Sequence, residues 1–283
     1  PAIVHVHFTS LFKLLNCFLR LFYHFKLFIS FHSTVNPCSS YKKYRKQKGF
    51  VKTLLYTWYC RFIYQQSNAI ICVSQAVKRQ YLQFLHHNRK VKCLYLGVNP
   101  TITSQEKAKR ILHFEDETRF RICHISAFEH LKGIDIIIEA AALLKEKYQL
   151  RDFKVYLIGT DRRNDNYSKM IKELSARLQV QEHIVWLGKR FDIQYILPAF
   201  DVYIHPSRQE GIGVSLMEAA SAGLPLIGTR VGGIPEVIAH ESNGFLIKSE
   251  SAVQLAHYLY KLYQDKKIRR EMAIRSKERW NDS

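Results

Sequence analysis

The sequence predicts an α/β protein made of parallel sheets in two domains, and three observations carry that expectation. From Phe120 onward, short apolar β runs alternate with amphipathic helical stretches. That order yields a parallel sheet covered on both faces, joined by right-handed crossovers. One strand-to-helix junction, His205–Gly223, concentrates glycines and carboxylates where such sheets bind ligands, beyond the carboxyl ends of the strands. The 283 residues, 47% of them apolar, supply core for two domains of ordinary size, expected at 1–113 and 114–283.

Residues 1–8, PAIVHVHF, read as a strand and a turn. Ser10–Phe31 is very apolar, but Lys13, Asn16, Arg20, His24 and Lys26 interrupt it, which argues against a membrane span. A helix to about Tyr23 and a strand Lys26–Phe31 fit better. Tyr41–Lys52, YKKYRKQKGFVK, is a basic run with aromatics: a solvated loop, or a surface for anionic headgroups. Thr53–Gln66 continues as a helix; Ala69–Ser74 is a buried strand, with Ser74 placed to cap a helix Gln75–Leu85. Lys90–Leu96 is a further strand. Thr101–Thr118 is polar and lacks a long apolar period, as an interdomain link does. Its Glu115-Asp116-Glu117 triplet reads as solvated acids, and no Asp-x-Asp pair occurs, so no metal site is expected.

In the second domain, strands are expected near Arg121–Ile125, Val155–Gly159, Ile184–Leu187, Val202–His205, Leu226–Gly228 and Phe245–Ile247. Helices fall between them, notably Ile134–Lys147 and Tyr167–Leu178, and Ser251–Gln264 and Ile268–Trp280 close the chain.

Composition excludes some classes. Six cysteines fall in the first half with no C-x-x-C pair or zinc spacing, which points to packed, reduced thiols in a reducing compartment. The net charge of +19 is unevenly spread: residues 1–100 hold fifteen Lys/Arg and no acid, whereas the remainder balances to +4. Such asymmetry fits an anionic surface or ligand, either a bilayer or nucleic acid; no nucleic-acid motif supports the latter.

The stretch HPSRQEGIGVSLMEAASAG reads as a strand end, a glycine turn and a short helix. Gly211 and Gly213 precede the helix, Ser215 lies near its start, and Gly223 with Pro225 stops it. Amides at a helix start are unpaired and suit phosphate. Glu210 sits in the turn and Glu218 about one turn into the helix, where it leans back toward the N-terminus. Amides for a diphosphate, beside carboxylates for sugar hydroxyls, describe a nucleotide-sugar pocket.

This stretch resembles the donor-site signature of glycosyltransferase family 4, Glu, seven residues, Glu, here Glu210 through Glu218. The surrounding QEGIGVSLMEAASAGLPLIGTRVGGIPEVI follows the family pattern almost throughout. The resemblance implies the GT-B fold with two Rossmann-like domains, a retaining transfer, and metal-independent chemistry with no cofactor beyond the donor substrate. It further implies that Glu210 binds donor-sugar hydroxyls, that Glu218 holds the ribose, and that Gly211, Gly213 and Val214 face the diphosphate. ISAFEHLKGID resembles the family's Gly-Arg-Leu-x-x-x-Lys-Gly segment; Lys132-Gly133 match, but Ala127 stands at the usual Arg position. Lys132 is therefore expected to hold the phosphate without that guanidinium, with His130 nearby. His32, in FISFHS, falls where the family places a His close to the transferred sugar; a hydrogen-bonded loop His is the plainer reading. Gly159 with Thr160-Asp161, and Gly188-Lys189, resemble turns beside the base and equally resemble ordinary βα turns. His205 reads as a packed His.

Family members begin with about one more pair of βαβ units, including a glycine-rich loop absent here, so the first domain is expected to be incomplete. The expected function is a cytoplasmic glycosyltransferase of surface-polysaccharide or lipid-linked glycan assembly, peripheral on the inner membrane face through residues 1–100. The alternatives are a non-catalytic remnant that binds nucleotide only, and a basic nucleic-acid-binding protein.

Overall fold

The computed structural model describes residues 2–7, 25–31, 67–84, 90–101, 103–114, 119–161 and 166–281. His32, the basic run 41–52, the helix expected at 53–66 and the acidic triplet 115–117 lie outside the described residues. Two compact units emerge, one of residues 1–96 with Glu210–Ile212, the other of 97–209 with 213–283.

In the first unit, β1 (Ala2–His7), β2 (Phe25–Phe31), β3 (Ala69–Cys72) and β4 (Val91–Cys93) pair in that order, all parallel. The expected strand at 90–96 is shorter than its apolar letters suggested, because Leu94 and Tyr95 are exposed. Ser74 accepts the Val77 amide at 3.1 Å and so starts α1 (Gln75–Phe84), the cap the sequence indicated. Helix and sheet share a core of Ile29, Ile70, Val77, Tyr81 and Val91. Cys72 is fully buried there; burial first, then neighbouring Cys93, pushes its thiol up to about 12, so it packs as a small apolar group.

In the second unit, β5 (Phe120–Ile125), β6 (Phe153–Ile158), β7 (Ile184–Gly188), β8 (Val202–His205), β9 (Leu226–Thr229) and β10 (Gly244–Ile247) form one parallel sheet, ordered β10-β9-β8-β5-β6-β7. Successive side chains alternate between two cores. Phe120, Ile122, Val155, Leu157, Val202, Ile204, Ile227 and Phe245 face one way, onto α3 (Ile134–Glu146) and the helix Ala252–Gln264. Cys123, Tyr156, Ile158, Tyr203, Leu226 and Leu246 face the other, with Leu216, Ala220 and Phe200. This period of two with both faces covered explains why the strands read as continuous apolar runs. Each fully buried large side chain contributes roughly 1.5–3 kcal/mol.

The polar stretch 101–118 contains a helix that its letters did not advertise, α2 (Gln105–Ile111). Ser104 accepts the Lys107 amide at 3.3 Å, Glu106 sits in the first turn, and Lys109 and Arg110 sit in the last. Phe114 then rests on Tyr156 and Phe200, at centroid distances of 5.0 and 5.9 Å, and Arg121 lies over its ring. The described residues from Gly97 to Phe114 therefore group with the second unit. Two further short helices, Ile193–Ile196 and Ile234–Val237, fall where the sequence showed no helical period, and each spans a single turn.

Candidate functional site

Strand order fixes where the second unit can bind. From β5 the chain runs outward through β6 to β7, then returns to the other side of β5 as β8. The loops after β5 and β8 therefore diverge at a topological switch point, the crevice where open α/β sheets hold ligands. Those loops are the two the sequence singled out, Ser126–Gly133 and Pro206–Gly213.

The loop after β5 ends in a 3-10 turn, His130–Lys132, followed by Gly133 at φ 69°. A Cβ on Gly133 would lie 2.2 Å from the Pro206 carbonyl oxygen, so the two loops approach as only glycine permits. Arg208 locks them together. Its amide donates to the Leu131 carbonyl at 2.8 Å, and Nη1 donates to the His130 carbonyl at 2.6 Å. Its guanidinium also clasps Asp135 bidentately, at 2.8 and 2.6 Å, while Nε donates to Glu250 at 2.8 Å. Tyr167 donates to the same Asp135 carboxylate at 3.1 Å. Burial alone would raise the Asp135 carboxyl, but the hydrogen bonds and charge of Arg208 outweigh it and hold the group below its ordinary value. Lys132 thus sits on a turn whose neighbours at 130, 131, 133 and 135 are all tied to residues 206–208.

The loop after β8 ends at α6 (Val214–Ser221); α4 (Tyr167–Arg177) and α5 (Ile193–Ile196) precede it in the chain. Gly213 stands at the N-cap with φ 85° and no side-chain cap, so the first-turn amides keep their donor capacity. A relay under this turn fixes its position. Tyr203 donates to Ser215 Oγ at 2.8 Å, and Ser215 donates to the Ile125 carbonyl at 3.0 Å, joining the start of α6 to the end of β5. Beside it, His124 Nδ1 lies 2.9 Å from the Ile204 carbonyl, which can only accept; Nδ1 therefore carries the proton, and Nε2 receives the Ser126 hydroxyl at 2.8 Å. Glu218 is half-buried one turn into α6, and burial raises its carboxyl above the ordinary glutamate value. An uncapped helix start with a desolvated carboxylate nearby can take a diphosphate and, alongside it, a hydroxyl-bearing group.

Lys132, Gly213, Val214 and Glu218 all lie on the two loops and the helix at the switch point; Val214 is exposed at the first helical position. Gly211 donates its amide to the Glu210 carboxylate at 3.1 Å, so here that donor is engaged by its own neighbour rather than open to a phosphate. Both residues group with the first unit. Gly159 closes β6, accepts close approach from the Ser126 carbonyl and donates to the Gly188 carbonyl at 2.9 Å, which brings the two glycine turns side by side. Asp161 accepts the amide and hydroxyl of Ser168 and so anchors the first turn of α4. His205 is buried, with Nδ1 3.3 Å from the Tyr203 hydroxyl, the packed role its surroundings suggested. Among the described residues no group of three His, Cys, Asp or Glu side chains is placed to hold a metal. Sequence reasoning missed Arg208 and the Tyr203–Ser215 relay. Their partners lie up to 90 residues away, so no local pattern shows them.

A parallel α/β sheet with an uncapped helix and a lysine turn at its switch point places amide donors and a cation where open α/β sheets can hold ligands. Family comparison sharpens that reading. Residues 105–279 match the model of glycosyl transferases group 1, and residues 1–102 match that of glycosyltransferase family 4. The chain belongs to the glycosyl transferases group 1 family. It is 26% identical over 220 residues to an N-acetyl-alpha-D-glucosaminyl L-malate synthase of Bacillus anthracis, a match covering 77% of this chain and 56% of that protein. It is 28% identical over 168 residues to a D-inositol 3-phosphate glycosyltransferase of Pseudarthrobacter chlorophenolicus, covering 59% of this chain and 39% of the relative. The chain thus spans about half the length of the curated relatives it matches. Among solved structures, Anabaena HepE crystallised with UDP and glucose aligns at a TM-score of 0.83 and 20% identity, over 99% of this chain and 73% of that one. The fold is of the expected GT-B type, α/β with parallel sheets.

Proposed function

We propose that this chain binds a nucleoside-diphosphate sugar and serves its transfer, with retention of anomeric configuration, to the hydroxyl of a glycan or lipid-linked acceptor. One observation carries the reading: the loop that bears Lys132 and the loop that leads into the uncapped α6 are joined at the switch point, Arg208 donating to the His130 carbonyl, while Ser215 ties the start of α6 to the Ile125 carbonyl at the end of β5. In this reading the leaving diphosphate gains negative charge as the sugar–oxygen bond breaks. Lys132 and the amides from Gly213 onward meet that charge without reorganising. Glu218 accepts from the ribose hydroxyls and Glu210 from those of the sugar, while His32 serves the sugar being transferred. A fixed cation and helix amides take the part a metal would otherwise play, so turnover should survive dialysis against chelator. The relatives named as glycosyltransferases and the HepE complex with UDP and glucose support this assignment.

The test is a panel of nucleoside diphosphates in a thermal-shift assay, followed by turnover of a radiolabelled donor. One nucleotide should raise the melting temperature by mass action, and Glu218→Ala should weaken it tenfold or more while Glu115→Ala leaves it unchanged. Equal affinity of all three proteins would refute the reading. Binding without any sugar turnover would leave a nucleotide-binding remnant.

A further inference from the structure

One cavity of the second unit lies away from the switch point. It is a hollow of about 790 Å³ at the opposite edge of the sheet, where Asp201 and Pro225 lead into β8 and β9 and where α6 ends. One wall is the last helix, Lys266–Asn281, here α9; α7 (Ile234–Val237) and α8 (Ala252–Gln264) precede it. The lining carries Lys109, Lys266, Lys267, Arg269, Arg270 and Lys277 against a single carboxylate, Asp201.

That carboxylate is already committed. Its Oδ2 accepts the Arg121 amide at 2.8 Å, and its Oδ1 lies 3.8 Å from Arg269. Among the described residues, Lys109, Lys266, Lys267, Arg270 and Lys277 have no carboxylate within ion-pair distance. A solvated helix face would interleave acids with its bases at the next turn. In α9 the spacing 266, 270, 273, 277 instead lines Lys, Arg, Ala and Lys along one stripe, and Glu271, which reaches Arg275 at 4.0 Å, lies off it. Residues 101–283 carry only +4 in total, so this convergence is local and not a consequence of general basicity. Thr101 and Thr103 add hydroxyls to the same lining, whereas the Ser221 hydroxyl already donates to the Glu218 carbonyl at 2.8 Å.

We infer that this hollow is a second anion site, separate from the switch-point crevice, for a ligand bearing two or more phosphate groups. Like charges brought together in a concavity repel until an anion enters, and guanidinium and ammonium groups beside hydroxyls match phosphate oxygens. The volume lies within the roughly 300–1,000 Å³ of small-molecule sites, which favours a compact polyphosphate or a phosphorylated lipid headgroup over a nucleic-acid strand. The inference is independent of the sugar-donor reading.

Calorimetry with inorganic tripolyphosphate at about 0.15 M salt, where charges are screened beyond roughly 8 Å, gives the direct test. The triple variant Lys266→Glu, Lys267→Glu and Arg270→Glu should lose tenfold or more in affinity. It should still fold, because all three positions are exposed and acids suit the first turn of a helix, where 266 and 267 lie, and its melting temperature checks that. The control Lys147→Glu, Lys169→Glu and Arg177→Glu makes the same charge change on other exposed positions and should lose less than threefold. Lys132→Ala should retain tripolyphosphate binding at this site, which separates it from the donor crevice. A second arm uses phosphatidylcholine vesicles with and without phosphatidic acid. Loss of vesicle binding in the first triple variant, but not in the control, assigns the phosphate to a lipid. Equal losses in the two triple variants, or no binding in either arm, would overturn the site. Tight binding of an RNA oligonucleotide without tripolyphosphate binding would overturn it as well.

Discussion

Arg208 shows how much one side chain can settle. It sits in the signature loop, yet what it touches is the loop after β5, through the His130 carbonyl and Asp135. Ala127 leaves the family's usual guanidinium out of that loop, and Arg208 supplies one that positions the turn rather than the ligand. The pair makes a prediction with a sign. A carboxyl held below its unfolded value contributes stability that is present above the unfolded aspartate pKa of about 3.9 and is lost as pH falls through the folded value. Asp135→Asn should therefore cost about 1.5–3 kcal/mol near neutral pH, the worth of a hydrogen bond to a charged group. It should also flatten the acid limb below about pH 4, as read by denaturant titrations across pH. Glu218 runs the other way. Burial raises its carboxyl, so its ionised form opposes folding at neutral pH and is relieved as pH falls through the raised value. Glu218→Gln should melt higher than the parent at pH 7.5, with nucleotide affinity down about tenfold. A variant that melted lower would show that the carboxylate is held by contacts, not merely desolvated.

At the scale of elements, the close pass of two loops at Gly133 is the feature most exposed to a single atom. Gly133→Ala places a methyl against the Pro206 carbonyl at 2.2 Å and demands a left-handed backbone, itself costing about 1–2 kcal/mol. The expected outcome is a loss of at least that much stability, with weaker nucleotide binding as the Lys132 turn shifts; Lys132→Ala, by contrast, should weaken binding without lowering the melting temperature. How far these elements could be read from letters follows from burial. FRICHI and VYIH are buried on both faces, so their apolar runs announce strands. Ser74 shows its capping role in sequence because the partner amide is three residues away. α2 was hidden although Ser104, Glu106 and Lys109 are ordinary end signals, because only Ala108 within it is buried and no apolar stripe forms. The switch-point crevice was legible as two motifs. Their joining was not, since Arg208 to Asp135 and Ser215 to Ile125 are contacts across 73 and 90 residues.

Across the whole molecule, charge divides the labour. All fifteen bases of residues 1–100 stand without a single acid, while the second unit carries its bases and acids nearly in balance. No described helix is long and apolar enough to cross a membrane. Near an anionic leaflet each Lys or Arg contributes about 1 kcal/mol, and the attraction decays within a Debye length. The densest run, Lys42, Lys43, Arg45, Lys46 and Lys48, is therefore the segment to neutralise. Converting those five to Gln removes at most about 5 kcal/mol. Co-sedimentation with phosphatidylglycerol vesicles should fall tenfold or more, and the parent's own binding should vanish between about 0.1 and 1 M salt as the Debye length shrinks from roughly 10 to 3 Å. Nucleotide binding should not change, because the five bases lie outside the switch-point loops. Vesicle binding that persists in the variant at low salt would move the membrane contact elsewhere, and the α9 hollow, with its unpaired lysines, is where it would then be sought.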